Sequence, residues 1–206
     1  MPLDLRQLVD PAHTALVTQE CQGGVLGPEP AMPALLEVAR KGMIANAARL
    51  VRAARAAGVP VVHCVAVRRP DGLGASRNAR VFLGRRRSPV QLQEGTPSAL
   101  PIPELGPEPS DLVLGRLHGV GPMGGTELAP VLRNLGSTTI VGVGVSLNLG
   151  MVSFATDAVN HGFQFVMPRD AVCGAPEEYG EAMLEHTYAL IATLPTTDQL
   201  IEIWKR

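Results

Sequence analysis

The residues able to do chemistry fall at three junctions. Glu20 follows the run from Thr14 to Gln19, Arg116 follows residues 111–115, and Ser146-Leu147-Asn148-Leu149-Gly150 follows the β-branched run 138–145. A carboxylate can give or take a proton. A guanidinium keeps its protons, so it clamps or stabilises charge. Val152, Ala155, Ala158 and Val159 have the spacing of one apolar helix face, which puts Gly150 at a helix start. The first backbone N–H groups of a helix have no intrahelical partner and suit an anion or a developing oxyanion. Around these three groups stand candidate substrate contacts: Gln22, His118, Ser146, Leu147 and Asn148. His118 could also be a second acid/base or a loop histidine, and Gln22 and Asn148 could brace turns. The plain alternative for Arg116 is an ion pair with Glu20 or Asp111.

For these groups to meet, the runs that precede them must lie side by side. Short apolar runs at 14–19, 59–67, 111–115, 138–145, 163–167 and 191–194 read as six strands. Between them, 3.6-residue periodicity predicts helices over 34–57, 126–135, from the Ser146 turn to about 161, and 176–190. A last helix carries Leu200, Ile201 and Trp204, with Asp198 as its cap. Strands alternating with helices give a single α/β domain over 1–206, a mostly parallel sheet with helices on both faces and Rossmann-type layering. Ligands of such sheets bind at the carboxyl ends of the strands. Glu20, Arg116 and Gly150 all fall at that edge.

Composition narrows the function. The chain has 206 residues, 46% of them hydrophobic, and a net charge of −1, which argues for a folded globular protein and against nucleic-acid binding. No apolar run is long enough for a bilayer, and the first residues lack a secretory pattern. Cys21, Cys64 and Cys173 are odd in number and widely spaced, which fits a cytoplasmic protein without disulfides. Cys21, next to Glu20 on a strand end, should turn toward the sheet or a helix; Cys64 reads as core, and Cys173 as a loop thiol without a base. Residues 68–110 are irregular, with arginines 68, 69, 77, 80, 85, 86 and 87 followed by a Pro-rich run. The arginines read as a solvated face, or as one or two receivers of an anionic substrate or partner subunit. The apolar stretch 100–105 reads as exposed and, with this loop, points to a homo-oligomer, a dimer or tetramer.

From Thr14 to Trp204 the chain resembles the isochorismatase-like (cysteine hydrolase) family. Ala15-Leu-Val-Thr-Gln-Glu-Cys-Gln22 resembles the family's first strand, whose Asp is the catalytic acid/base. Arg116 stands where the family has a catalytic Lys. Gly144-Val-Ser-Leu-Asn148 resembles its fourth-strand turn, which implies a cis peptide at Val145–Ser146. The family's nucleophilic Cys corresponds to Gly150, and Gly162 and Val166-Met-Pro-Arg-Asp170 also resemble the family. The metal-binding branch has Asp-x-His after the second strand; Val65-Ala-Val-Arg-Arg-Pro70 has none, so no metal or cofactor is expected. Isochorismatases proper also carry Gly at this place, and cleave a vinyl ether by protonating carbon and adding water.

The resemblance implies a hydrolase of a small anionic or carbonyl-bearing metabolite that works by acid/base chemistry, with Glu20 moving protons, Arg116 clamping charge and Gly150 opening an anion site. Glu for Asp and Arg for Lys depart from the family's pattern: the carboxyl stands about one methylene further out, and the clamp changes from a point charge to a planar fork. Two alternatives remain: a catalytically silent ligand-binding or subunit protein, and an amidase using a relocated Cys.

Overall fold

The computed structural model describes residues 4–205. A parallel sheet runs in the order β3-β2-β1-β4-β5, with β6 also pairing β4. The strands are β1 (Thr14–Gln19), β2 (Val61–Ala66), β3 (Leu112–Arg116), β4 (Thr139–Val145), β5 (Gln164–Val166) and β6 (Val172–Cys173). The helices are α1 (Leu5–Leu8), α2 (Gly23–Leu26), α3 (Pro33–Arg40), α4 (Met43–Ala56), α5 (Arg80–Arg87), α6 (Leu128–Asn134), α7 (Val152–Asn160), α8 (Glu177–His186) and α9 (Thr197–Trp204).

β1 and β4 lie at the centre and every residue of both is buried. That explains their continuous apolar composition, since a sheet covered on both faces needs no polar alternation. One face packs Leu16, Val141 and Val143 against α3, α4 and α9, with Leu50, Val51 and Trp204. The other packs Ala15, Val17 and Ile140 against α6 and α7, with Leu128, Phe154 and Tyr188. Phe154 meets Phe165 edge-on, with ring centroids 4.9 Å apart. The register sets Gln19 beside Gly144 and beside Cys64, so the ends of β1, β4 and β2 share one edge.

Several local expectations are corrected. The helix expected over 34–57 is two, α3 and α4, broken at Lys41-Gly42, where the Lys41 amide bonds back to Val38 O at 3.1 Å. Glycine is a poor helix interior residue, and this one caps α4 instead. Residues 191–194 form no strand. Thr193 alone bridges Val166, and Pro195 has no N–H with which to extend a ladder. The sixth strand is β6. The cap of α9 is Thr196, in a reciprocal pair with Gln199; Asp198 lies in the first turn and pairs with Arg49. In the stretch 100–105 only Leu100 is half-exposed among the large apolar residues, while Ile102 and Leu105 are buried within the core that includes α4.

Candidate active site

Glu20 leaves the end of β1 at φ +51°, the one non-glycine residue at positive φ among the described residues. Such a conformation is costly and is held only when its surroundings impose it. Here the Glu20 amide donates to Cys64 O at 2.9 Å and fixes the turn. The side chain is 5% exposed. A buried carboxylate needs partners to replace water, and two guanidinium groups supply them. Arg116 Nη2 donates to Oε1, and Arg85 Nη2 donates to Oε2 at 3.1 Å. Arg116 ends β3 and is 4% exposed; its Nη2 also donates to Val120 O at 3.0 Å. Its Nε and Nη1 are buried without a partner. Arg85 comes from α5, a helix with no buried residue.

The β4–α7 connection forms the opposite wall. Gly144 sits at φ +122°, and a Cβ there would lie 2.2 Å from Gln19 O, so only glycine lets β4 pass β1 this closely. The Val145–Ser146 peptide is cis. Leu147–Met151 then forms a single wide π-type turn that opens α7. A Cβ on Gly150 would stand 2.7 Å from Gln19 Nε2 and 3.2 Å from Val120 O. Gln19 thus fills the space into which a side chain at 150 would project. It is fully buried, its Nε2 donates to Val120 O at 3.3 Å, and its Oε1 has no partner. A cavity of about 310 Å³ lies between these walls, lined by Glu20, Arg85, Ser146, Asn148, Leu149 and Gly150 among others.

Residues 14–199 match the isochorismatase domain family. The chain belongs to the isochorismatase family. Among relatives, it is 32% identical over 101 residues to the uncharacterized isochorismatase family protein YwoC of Bacillus subtilis, a match covering 49% of this chain. The chain spans 53% of YwoC's length, about half. It is 26% identical to the phenazine biosynthesis protein PhzD1 of Pseudomonas aeruginosa, over 98% of this chain and 92% of that one. A cysteine hydrolase structure from Pseudomonas syringae pv. phaseolicola superposes with a TM-score of 0.83 at 20% identity, covering 96% of this chain and 95% of that one, a likeness of fold.

Within this isochorismatase-family fold, the other expected contacts separate by position. Ser146 lines the cavity. Leu147 is buried, and its carbonyl accepts from Tyr188 OH at 2.5 Å. Asn148 reaches the cavity and also donates Nδ2 to Ala175 O at 3.3 Å. Gln22 is fully buried and satisfied on both ends: Nε2 donates to Ala66 O at 2.9 Å and Ser98 O at 3.1 Å, and Oε1 accepts from the Ala66 amide at 2.7 Å. It clamps the ends of β1 and β2. His118 is exposed and lines a separate cavity with Gly125 and Thr126. The pairing of Arg116 is with Glu20; Asp111 belongs to Arg55 and His63.

None of the three thiols reaches the Glu20 cavity lining. Cys21 turns into the core and its thiol is pushed far up, by burial first and then by the neighbouring Cys173 and Glu20. Burial pushes Cys64 up to about 12, and Cys173, in β6 and not on a loop, up to about 12. A thiol that stays protonated is a poor nucleophile. Among the described residues, no group of three or more His, Cys, Asp and Glu could hold a metal ion.

Two site residues escaped the sequence reading. Gln19 was read as the end of a strand, although a polar residue in an otherwise apolar buried run was its signal. Arg85 was one of seven equivalent arginines, and nothing local marks it out.

Proposed function

We propose that this chain is a hydrolase of a small anionic or carbonyl-bearing metabolite that works by acid/base chemistry at Glu20, without a cysteine nucleophile. The observation that carries the reading is the buried Glu20 carboxylate, a guanidinium on each oxygen, beside a glycine-lined helix start. Glu20 takes a proton from a water as that water's oxygen bonds to the scissile carbon of an ester or amide. The bond to the leaving group breaks, and the same carboxyl returns that proton to it. Arg116 cannot give up a proton, so its role is to hold the charge that develops or that the substrate brings. The start of the turn at Leu147–Met151 offers backbone N–H groups to an oxyanion. Gln19 fills the space beside position 150.

A panel of small carboxylate-bearing vinyl ethers, esters and amides, isochorismate among them, tests this reading. Wild type should turn over at least one member, and Glu20→Gln should not. Turnover by Glu20→Gln at the wild-type rate, or none by wild type on any member, contradicts it.

A further inference from the structure

A second cavity of about 270 Å³ lies under α5, next to the Glu20 cavity. Met32, Val81 and Arg85 line both. Its chemistry differs from that of the Glu20 side. The walls are mainly apolar, among them Val81, Phe82 and Leu92. Four arginines, 68, 85, 86 and 116, also line it, and no Asp or Glu does. Arg68 is engaged by Gln91 at 2.7 Å. Arg116 is nine-tenths buried with two nitrogens unpartnered, which is costly unless an acceptor arrives.

We infer that the substrate is a carboxylate on a compact apolar body, the body lying under α5 and the carboxylate on Arg116 and Arg85. The inference rests on the proposed function and names its substrate class. The apolar walls disfavour a polyhydroxylated body, because hydroxyls buried there would lose water without gaining partners. The four guanidinium groups, with no carboxylate among the lining residues, favour an anionic head held through planar, charge-assisted hydrogen bonds. The arrangement also couples binding to chemistry. Arg85 sits on an exposed helix and holds Glu20 Oε2. A substrate carboxylate that draws Arg85 away frees that oxygen to take a proton. A neutral ligand of the same shape fills the cavity but leaves Glu20 capped on both sides.

The test is calorimetric titration of the whole chain with 3-phenylpropanoate, its neutral amide 3-phenylpropanamide, and gluconate, a carboxylate with a hydroxylated body. The carboxylate should bind saturably and raise the melting temperature, the amide should bind at least about tenfold more weakly, and gluconate should give no signal. Phe82→Asp, on a helix that buries none of its residues, should abolish binding while the melting temperature without ligand stays put. No saturable binding of 3-phenylpropanoate at millimolar concentration overturns the inference. So does equal binding of amide or gluconate, or binding that survives Phe82→Asp. Binding is read without turnover, which keeps two failures apart. Phenylpropanoate binding in a protein that hydrolyses no carboxylate ester defeats the hydrolase reading alone. Hydrolysis of a polyhydroxylated anion without phenylpropanoate binding defeats this inference alone.

Discussion

Two buried carboxylates lie at opposite ends of the strands, and their surroundings differ in one respect. Asp111 stands just before β3. Its Oδ1 accepts from Arg55 Nε at 3.0 Å, and its Oδ2 from Arg55 Nη2 at 2.5 Å, the Glu108 amide at 2.9 Å and His63 Nε2 at 3.2 Å. His63 Nδ1 in turn meets Thr18 Oγ1 at 2.9 Å. Every polar group in this chain of contacts is used, and the chain ties α4 to β1, β2 and the start of β3. Glu20, at the carboxyl end of β1, is paired just as closely, but the groups around it are not satisfied: its partner Arg116 has two idle nitrogens, and Gln19, its neighbour in the chain, an idle oxygen. Saturation makes the Asp111 cluster a strut. Unused donors beside two cavities are what the proposed site has and the strut lacks. Burial pushes Asp111 up, but Arg55, the Glu108 amide and His63 outweigh it and hold its carboxyl below the usual range. Burial holds His63 below its ordinary value, with the Asp111 hydrogen bond offsetting part.

If that contrast is right, the two carboxylates fail differently when removed. Asp111→Ala leaves the Arg55 charge facing a cavity and should cost about 3–5 kcal/mol of stability, read by urea unfolding. Glu20→Gln keeps the shape and one acceptor for Arg116 and Arg85 but removes the charge they share, so it should cost less stability than Asp111→Ala, leave a folded protein by circular dichroism and lower turnover by about 10²–10⁴. Similar losses of stability in both would erase the distinction. Next in size, Gly150→Cys should destabilise by about 1–3 kcal/mol because Gln19 already occupies the space, and adding Gln19→Ala should recover part of the loss. An undisturbed melting temperature for Gly150→Cys would show that Gln19 moves aside freely.

A smaller effect sharpens the strut side of the comparison. His63 titrates near 6.5 when unfolded and lower when folded. Below pH 6.5 the unfolded chain therefore takes up a proton that the native state refuses, and stability falls as pH drops through that window, by up to about 1.4 kcal/mol per unit. Above it the group contributes nothing to the slope. Melting temperatures across pH 5 to 8 should show this decline, and His63→Gln should flatten it. The smallest effect belongs to Arg87→Gln: an exposed arginine on α5 should change neither stability beyond about 0.5 kcal/mol nor turnover.

The central strands and the meeting of Glu20, Arg116 and Gly150 were legible in the sequence because buried parallel strands write themselves as continuous β-branched runs, and their last residues must share an edge. The resemblance located the cis peptide at Val145–Ser146. What the sequence hid depends on contacts between distant segments. Gln22 and Gln19 are both polar strand-end residues three apart, yet one is fully satisfied and the other is not. Arg85 reaches Glu20 only because residues 68–110 fold α5 over the sheet edge, which no local pattern specifies. β6 has two residues and no periodicity to read, and Ile102 and Leu105 looked exposed until α4 was in place.

The most direct test of a proton-moving Glu20 without a thiol is turnover of one hydrolysed carboxylate substrate by three proteins: wild type, Glu20→Gln, and a variant with Cys21, Cys64 and Cys173 all replaced by Ala. The cysteine-free protein should keep turning over, once corrected for its folded fraction, while Glu20→Gln should not. Loss of turnover in the folded cysteine-free protein, or its survival in Glu20→Gln, would contradict this.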